Sequence, residues 1–99
     1  MIRRTRIFTR PNTNVPFYLE DAEFRAYMKT TYIDTKLRVS FSRSNSSAGL
    51  VETIVTVWRD QAAHDTWNSD SIVINQYNKR KEYNLANNII ENSVSFETV

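Results

Sequence analysis

Thr56-Val57-Trp58-Arg59-Asp60-Gln61-Ala62-Ala63-His64-Asp65-Thr66-Trp67-Asn68-Ser69-Asp70 is the stretch on which the reading of this chain turns. It begins at the end of a run, residues 50–58, rich in Val, Ile and Thr on both faces, which is the pattern of an interior strand. Asp60 follows, a natural acceptor for the free amides of a helix's first turn, and predicts a short helix through Trp67. Asp70 can cap a second, longer helix from Ser71 to about Asn87, with Val73, Tyr77 and Arg80 along one stripe.

Outward from this stretch, residues 35–43 alternate, with Leu37, Val39 and Phe41 on one side and Lys36, Arg38, Ser40 and Ser42 on the other. They predict a half-buried strand. Asn45-Ser46-Ser47-Ala48-Gly49 supplies a hairpin turn, with the only glycine of the chain where a positive φ is expected. Residues 2–10 read as a strand, Ile7 on one face and Ile2 and Phe8 on the other, and Pro11 to Pro16 as a loop. From about Tyr18 to Thr31 the period is helical, through Phe24, Tyr27, Met28 and Thr31, with Glu20, Asp21 and Glu23 at the positive end of the dipole. Residues 93–99 form a last strand, with Val94 and Phe96 pointing together.

The order β-α-β-β-α-β predicts an α+β, ferredoxin-like fold in one domain spanning 1–99: a four-stranded antiparallel sheet with helices on one face. Val51, Val55 and Val57 occupy one face of the third strand, and Leu50, Ile54 and Trp58 the other. Both faces therefore call for cover. A second copy's sheet over the helix-free face, closing a dimeric α/β barrel, is the simplest way to supply it. A chain of 99 residues also buries only about 60–65% of its unfolded surface, a modest core that pairing would enlarge.

Composition removes several chemistries. There is no cysteine, hence no disulfide, thiolate site or cysteine nucleophile. With one glycine no phosphate-cradling loop can form, and no serine nucleophile motif is present. A single histidine without an acidic pair at ligand spacing argues against a catalytic metal. No apolar run reaches membrane-spanning length, and Met1–Arg6 lacks the apolar region of a signal peptide, so a cytoplasmic protein without a membrane partner is expected. The net charge is only +2, yet Arg3, Arg4, Arg6 and Arg10 crowd one end and Lys79, Arg80 and Lys81 form a second group. Such groups bind phosphates or form a solvated surface.

The stretch Thr56–Ala62 followed by Asp65–Asp70, together with the element order, resembles the antibiotic-biosynthesis-monooxygenase-like family of dimeric α/β barrels, in particular its haem-degrading branch. The resemblance implies a homodimer, a barrel pocket for an apolar, aromatic or tetrapyrrole ligand, and monooxygenase activity, haem-dependent or cofactor-free. In that branch an Asn on the first strand, the second Trp of the motif and a His ten residues later carry the function, the His ligating haem iron. Trp67 matches the Trp. Tyr77 stands where the His is expected, and the first strand carries Arg4 and Arg6 but no Asn. The resemblance therefore disfavours haem.

Each candidate side chain has two readings. Trp58 and Trp67 either wall a ligand or plug helix against sheet. Tyr77 either binds ferric iron as a phenolate, helped by a cation such as Arg80, or buries its ring and lets its hydroxyl find a partner. His64 is the one side chain with an ordinary pKa suited to proton transfer, and a surface position is its expected bland role. Arg4, Arg6 and Arg10 share a face with Ile2 and Phe8; they either hold carboxylates of a ligand or partner, or protect an edge strand. Ligand binding is thus assigned to Trp67, Tyr77, Trp58 and Arg6, with His64 and Tyr77 as catalytic candidates and no metal ligands.

Three functions compete. The first is a dimeric ligand-binding or monooxygenase-like protein. The second is a non-catalytic interaction module. The third is RNA binding, since RNA-recognition domains share the strand order but stack bases on third-strand aromatics that residues 49–55 lack, Ile7-Phe8 being a faint echo.

Overall fold

The computed structural model describes residues 1–99, and the elements follow the expected order. They are β1 (Ile2–Thr9), α1 (Ala22–Met28) continued by a π-helical turn at Lys29–Ile33, β2 (Arg38–Asn45), β3 (Val51–Trp58), α2 (Gln61–Ser69), α3 (Ser71–Ala86) and β4 (Ile90–Thr98). The strands form one antiparallel sheet in the order β2-β3-β1-β4, the ferredoxin-like arrangement. No helix is long and apolar enough to cross a membrane.

Aspartates set the helix starts. Asp60 accepts from the Ala63 amide at 2.8 Å and Asp70 from the Ile72 amide at 2.9 Å, as the sequence predicts. Asp21 does the same for Phe24 at 2.7 Å, in an extended conformation, so α1 begins at Ala22 rather than near Tyr18. Asp70 also accepts hydroxyls from Tyr27 and Tyr32, each at 2.6 Å, tying the helical layer together. Gly49 has the positive φ expected of it, +76°.

Two expectations about the strands are corrected. β1 lies inside the sheet between β3 and β4, so its arginines do not guard an edge. β2 starts at Arg38 and does not alternate cleanly. Its register against β3 slips between Arg38 and Ser40, so that Arg38 faces the same way as Phe41 and Arg43. A bulge inserts one residue into a strand, and every side chain beyond it changes face.

Between helices and sheet lie two apolar clusters. The larger unites Trp58, Trp67, Tyr32, Phe24, Ala63 and Val73, with Ile2 packed against it. The smaller unites Phe8, Ile54 and Ile89. The helix-free face carries Val51, Val55, Val57 and Ile7, all half-buried, with serines of β2 and β4 beside them and no aromatic ring. Its burial within one chain is only partial.

A candidate ligand cavity between the helices and the sheet

Strand alternation brings Arg4, Arg6, Ile54, Thr56, Phe41 and Arg43 onto the helix-facing side of the sheet, where β1, β3 and β2 run side by side. Above them α1 contributes Phe24, Arg25 and Met28, and α2 and α3 contribute Trp67, Gln76, Tyr77 and Arg80. These residues enclose a cavity of about 380 Å³, in the range of small-molecule sites. It lies within one chain, between helices and sheet.

Tyr77 holds the centre of its polar chemistry. The Tyr77 Oη accepts from Trp67 Nε1 at 2.7 Å and from Arg4 Nη1 at 2.5 Å. A phenol has two acceptor positions and one donor. With both acceptors used, the remaining O–H is free to donate to a molecule in the cavity. The cation at Tyr77 is therefore Arg4, and not Arg80 as the helical spacing suggests. Arg80 instead reaches Glu20 at 2.5 Å.

The cavity is rich in positive charge. Glu20 also pairs with Arg43 at 3.1 Å, and Arg6 pairs with Glu91 at 2.8 Å. Burial lowers the pKa of Arg4, Arg38 and Arg80, because a guanidinium removed from water loses hydration. Glu52, under Phe8, is pushed up by burial despite Arg43 and Arg80 nearby.

The predicted site residues divide. Trp67, Tyr77 and Arg6 line the cavity. Trp58 does not; it is wholly buried behind Trp67, ring centroids 4.8 Å apart, and its role is packing. His64 is no surface residue: it is buried between Trp58 and Phe96 and does not line the cavity, though Arg4, Arg6 and Tyr77 border the hollow beside it. Burial, then the charge of Arg4, lowers its pKa, so it is neutral near pH 7. Arg10 is structural, bonding Gly49 O at 2.7 Å and Val15 O at 3.0 Å and pinning the proline loop. Sequence reasoning missed Arg38 and Arg43, because the β2 bulge that turns Arg38 inward has no signature in the residue pattern.

The resemblance raised haem, and the donor set does not fit it. No histidine lines the cavity, the acceptor positions of Tyr77 are filled by Trp67 and Arg4, and the Met28 sulfur lies against Arg38. Nor do three His, Cys, Asp or Glu side chains gather anywhere as a metal site requires.

No protein-family model matches the sequence, and no curated protein matches it. Solved structures do match. The "putative antibiotic biosynthesis monooxygenase" of Deinococcus radiodurans superposes with a TM-score of 0.60, over 100% of this chain and 92% of that one, at 11% identity. Rv0793 from Mycobacterium tuberculosis gives 0.57, over 100% and 95%, at 12% identity. The chain shares their fold. The α+β backbone expected from the Trp58–Trp67 stretch and the element order is thus present throughout its length. At such low identity what is shared is the backbone.

Proposed function

We propose that the chain binds a flat aromatic small molecule in the cavity beside Trp67 and Tyr77. The observation that carries this reading is Tyr77: a half-buried phenol whose oxygen is fixed by two donors and whose own proton points to no protein acceptor. A ligand oxygen supplies that acceptor, while Trp67, Phe24 and Phe41 give the rings apolar walls. The test is a titration of tryptophan fluorescence with 2-naphthol, a neutral two-ring probe bearing one oxygen. Saturable quenching is expected, with an affinity about ten-fold weaker in Tyr77→Phe, the ~1.4 kcal/mol of one lost hydrogen bond. No quenching at solubility-limited concentration rules the reading out.

A second reading, cofactor-free oxygenation of the bound molecule, is favoured by the same donor. A hydroxyl and a guanidinium beside a ligand oxygen stabilise its enolate or phenolate, the electron-rich form that reacts with dioxygen. Oxygen uptake with anthrone, which goes with O₂ to anthraquinone and water, is the check; a rate equal to buffer leaves a binding protein.

The half-buried valines of β3, with Ile7, support a homodimer through the helix-free face, where the serines of β2 and β4 allow close approach. Sedimentation equilibrium at micromolar concentration tests it, and a monomer would refute it.

A further inference from the structure

Six arginines line the cavity, and their counter-ions do not match them. Glu91 takes Arg6, Glu20 takes Arg80 and Arg43, and Glu52 stands 3.8 Å from Arg43. Arg4, Arg25 and Arg38 have no carboxylate within ion-pair distance. Arg25 is exposed and hydrated. The other two are not so easily satisfied.

Arg4 is 8% exposed, and its Nε is buried with no hydrogen-bond partner. Its Nη1 bonds a phenol that carries no formal charge. Arg38 lies 4.7 Å over the Phe41 ring, and the nearest acceptor to its Nη1 is the Met28 thioether at 2.8 Å, a weak one. The register places Arg4 opposite Thr56 and Arg38 opposite Trp58, so the two flank β3 on its helix side; Arg38 loses hydration by burial, Glu20 eases its charge from beyond ion-pair distance, and Arg4 repels it. A buried charge without an ionic partner, as at Arg4, is costly, and a half-buried charge of the same sign beside it, as at Arg38, adds to the cost. An anion between them would turn repulsion into attraction.

We propose that the molecule taken by this cavity is an aromatic carboxylate, its rings among Trp67, Tyr77, Phe24 and Phe41 and its acid group between Arg4 and Arg38. The inference rests on the reading of the cavity as a ligand site and names the class of ligand. Carboxylate matches the planar fork of a guanidinium, whose adjacent N–H groups bond its two oxygens in parallel. The unpartnered Nε of Arg4 belongs to that fork. The free O–H of Tyr77, beside Arg4, has an anionic acceptor in the same place.

The experiment titrates the full chain at pH 7.5 and low salt with anthracene-2-carboxylate and, separately, with anthracene-2-carboxamide, a neutral probe of the same shape. Quenching of tryptophan and sensitised anthracene emission report binding. The acid is expected to bind at least about ten-fold more tightly than the amide, and that ratio to shrink as salt is raised. Arg38→Gln and Arg4→Gln, each checked for folding by circular dichroism, are expected to bring the ratio to within about threefold of unity, most of that one decade of affinity. Equal binding of acid and amide by the unaltered chain overturns the carboxylate assignment while leaving the cavity as a ligand site. A full acid preference in both variants also overturns it, since the preference would then belong to the net charge. Binding of neither probe removes the inference and the ligand-site reading together.

Discussion

β1 sends Ile2 into the aromatic cluster at one end of the helix–sheet interface and Phe8 into the smaller cluster at the other. Between them on the same face, Arg4 and Arg6 line an open cavity. The two regions share strands, helices and the same alternation of side chains, yet one is closed and the other hollow. Around Trp58 the rings interlock, Tyr32 edge-on at 6.3 Å and Trp67 tilted at 4.8 Å, and no solvent reaches the indole. Around Arg4 the side chains are as long, but they repel one another and need polar company, so they hold a space open. Alternation decides which face a residue joins; only its chemistry decides whether that face becomes core.

One pair of substitutions tests this contrast directly, because the two regions should respond with opposite sign. Trp58→Ala empties a fully buried site in the aromatic cluster and is expected to cost about 3–5 kcal/mol, read from urea denaturation. For a small domain that is a large share of a total stability of roughly 5–15 kcal/mol. Arg4→Met replaces an unpaired buried charge by an apolar chain of similar length. It is expected to leave stability unchanged or raise it by about 1–2 kcal/mol, the direction seen when buried ions yield to hydrophobic residues. A loss of more than about 1 kcal/mol in Arg4→Met would mean that the guanidinium holds Tyr77 and Trp67 for the sake of the fold, and the division into a packing half and a binding half would fail.

How much of this was legible in the sequence follows from the same division. The fold was readable because it rests on period and punctuation: Asp60 and Asp70 cap where they should, Gly49 turns the hairpin, and Trp58 ends an interior strand. The grouping of Arg4 and Arg6 with Ile2 and Phe8 was also readable, since a regular strand has period two. The position of Arg38 was not. A bulge moves it to the helix side, and the residues around it, Arg-Val-Ser-Phe, alternate as well in a regular strand as in a bulged one. Pairing partners were invisible for a different reason. Glu20 to Arg80 and Arg4 to Tyr77 join residues 60 and 73 positions apart, distances over which neither spacing nor composition carries information. His64 looked like a surface residue because its helix is polar; Phe96, from the far end of the chain, is what covers it.

His64 sits on the seam between the two regions, and its titration gives the smallest but most specific of these effects. Its ring packs against Trp58 and Phe96, its Nδ1 has no hydrogen-bond partner, and its Nε2 lies 3.4 Å from the Asn68 amide. Facing it are the charge of Arg4 from β1 and that of Asp65 from its own helix, the latter 3.9 Å away but largely exposed, while Lys81 and Glu91 line the hollow beside it. Burial and Arg4 outweigh Asp65, so the folded-state pKa lies below the unfolded value of 6.5. A group with a lowered folded pKa favours the folded state fully above its unfolded pKa. Below about pH 6.5 the unfolded chain takes up a proton that the folded chain refuses, and stability falls until the folded pKa is passed. Melting temperature should therefore decline between pH 7.5 and 5.5. His64→Phe, which keeps an aromatic ring against Trp58 and Phe96, should flatten that decline without abolishing the acid sensitivity that carboxylates impose at lower pH. Coupling to the cavity gives a further consequence: because Arg4 helps lower the His64 pKa, Arg4→Met should make the decline shallower, its acid end moving up toward the unfolded value. Identical pH profiles for the unaltered chain and His64→Phe would place the imidazole in water, and the seam between the packed and the hollow halves would have to be drawn elsewhere.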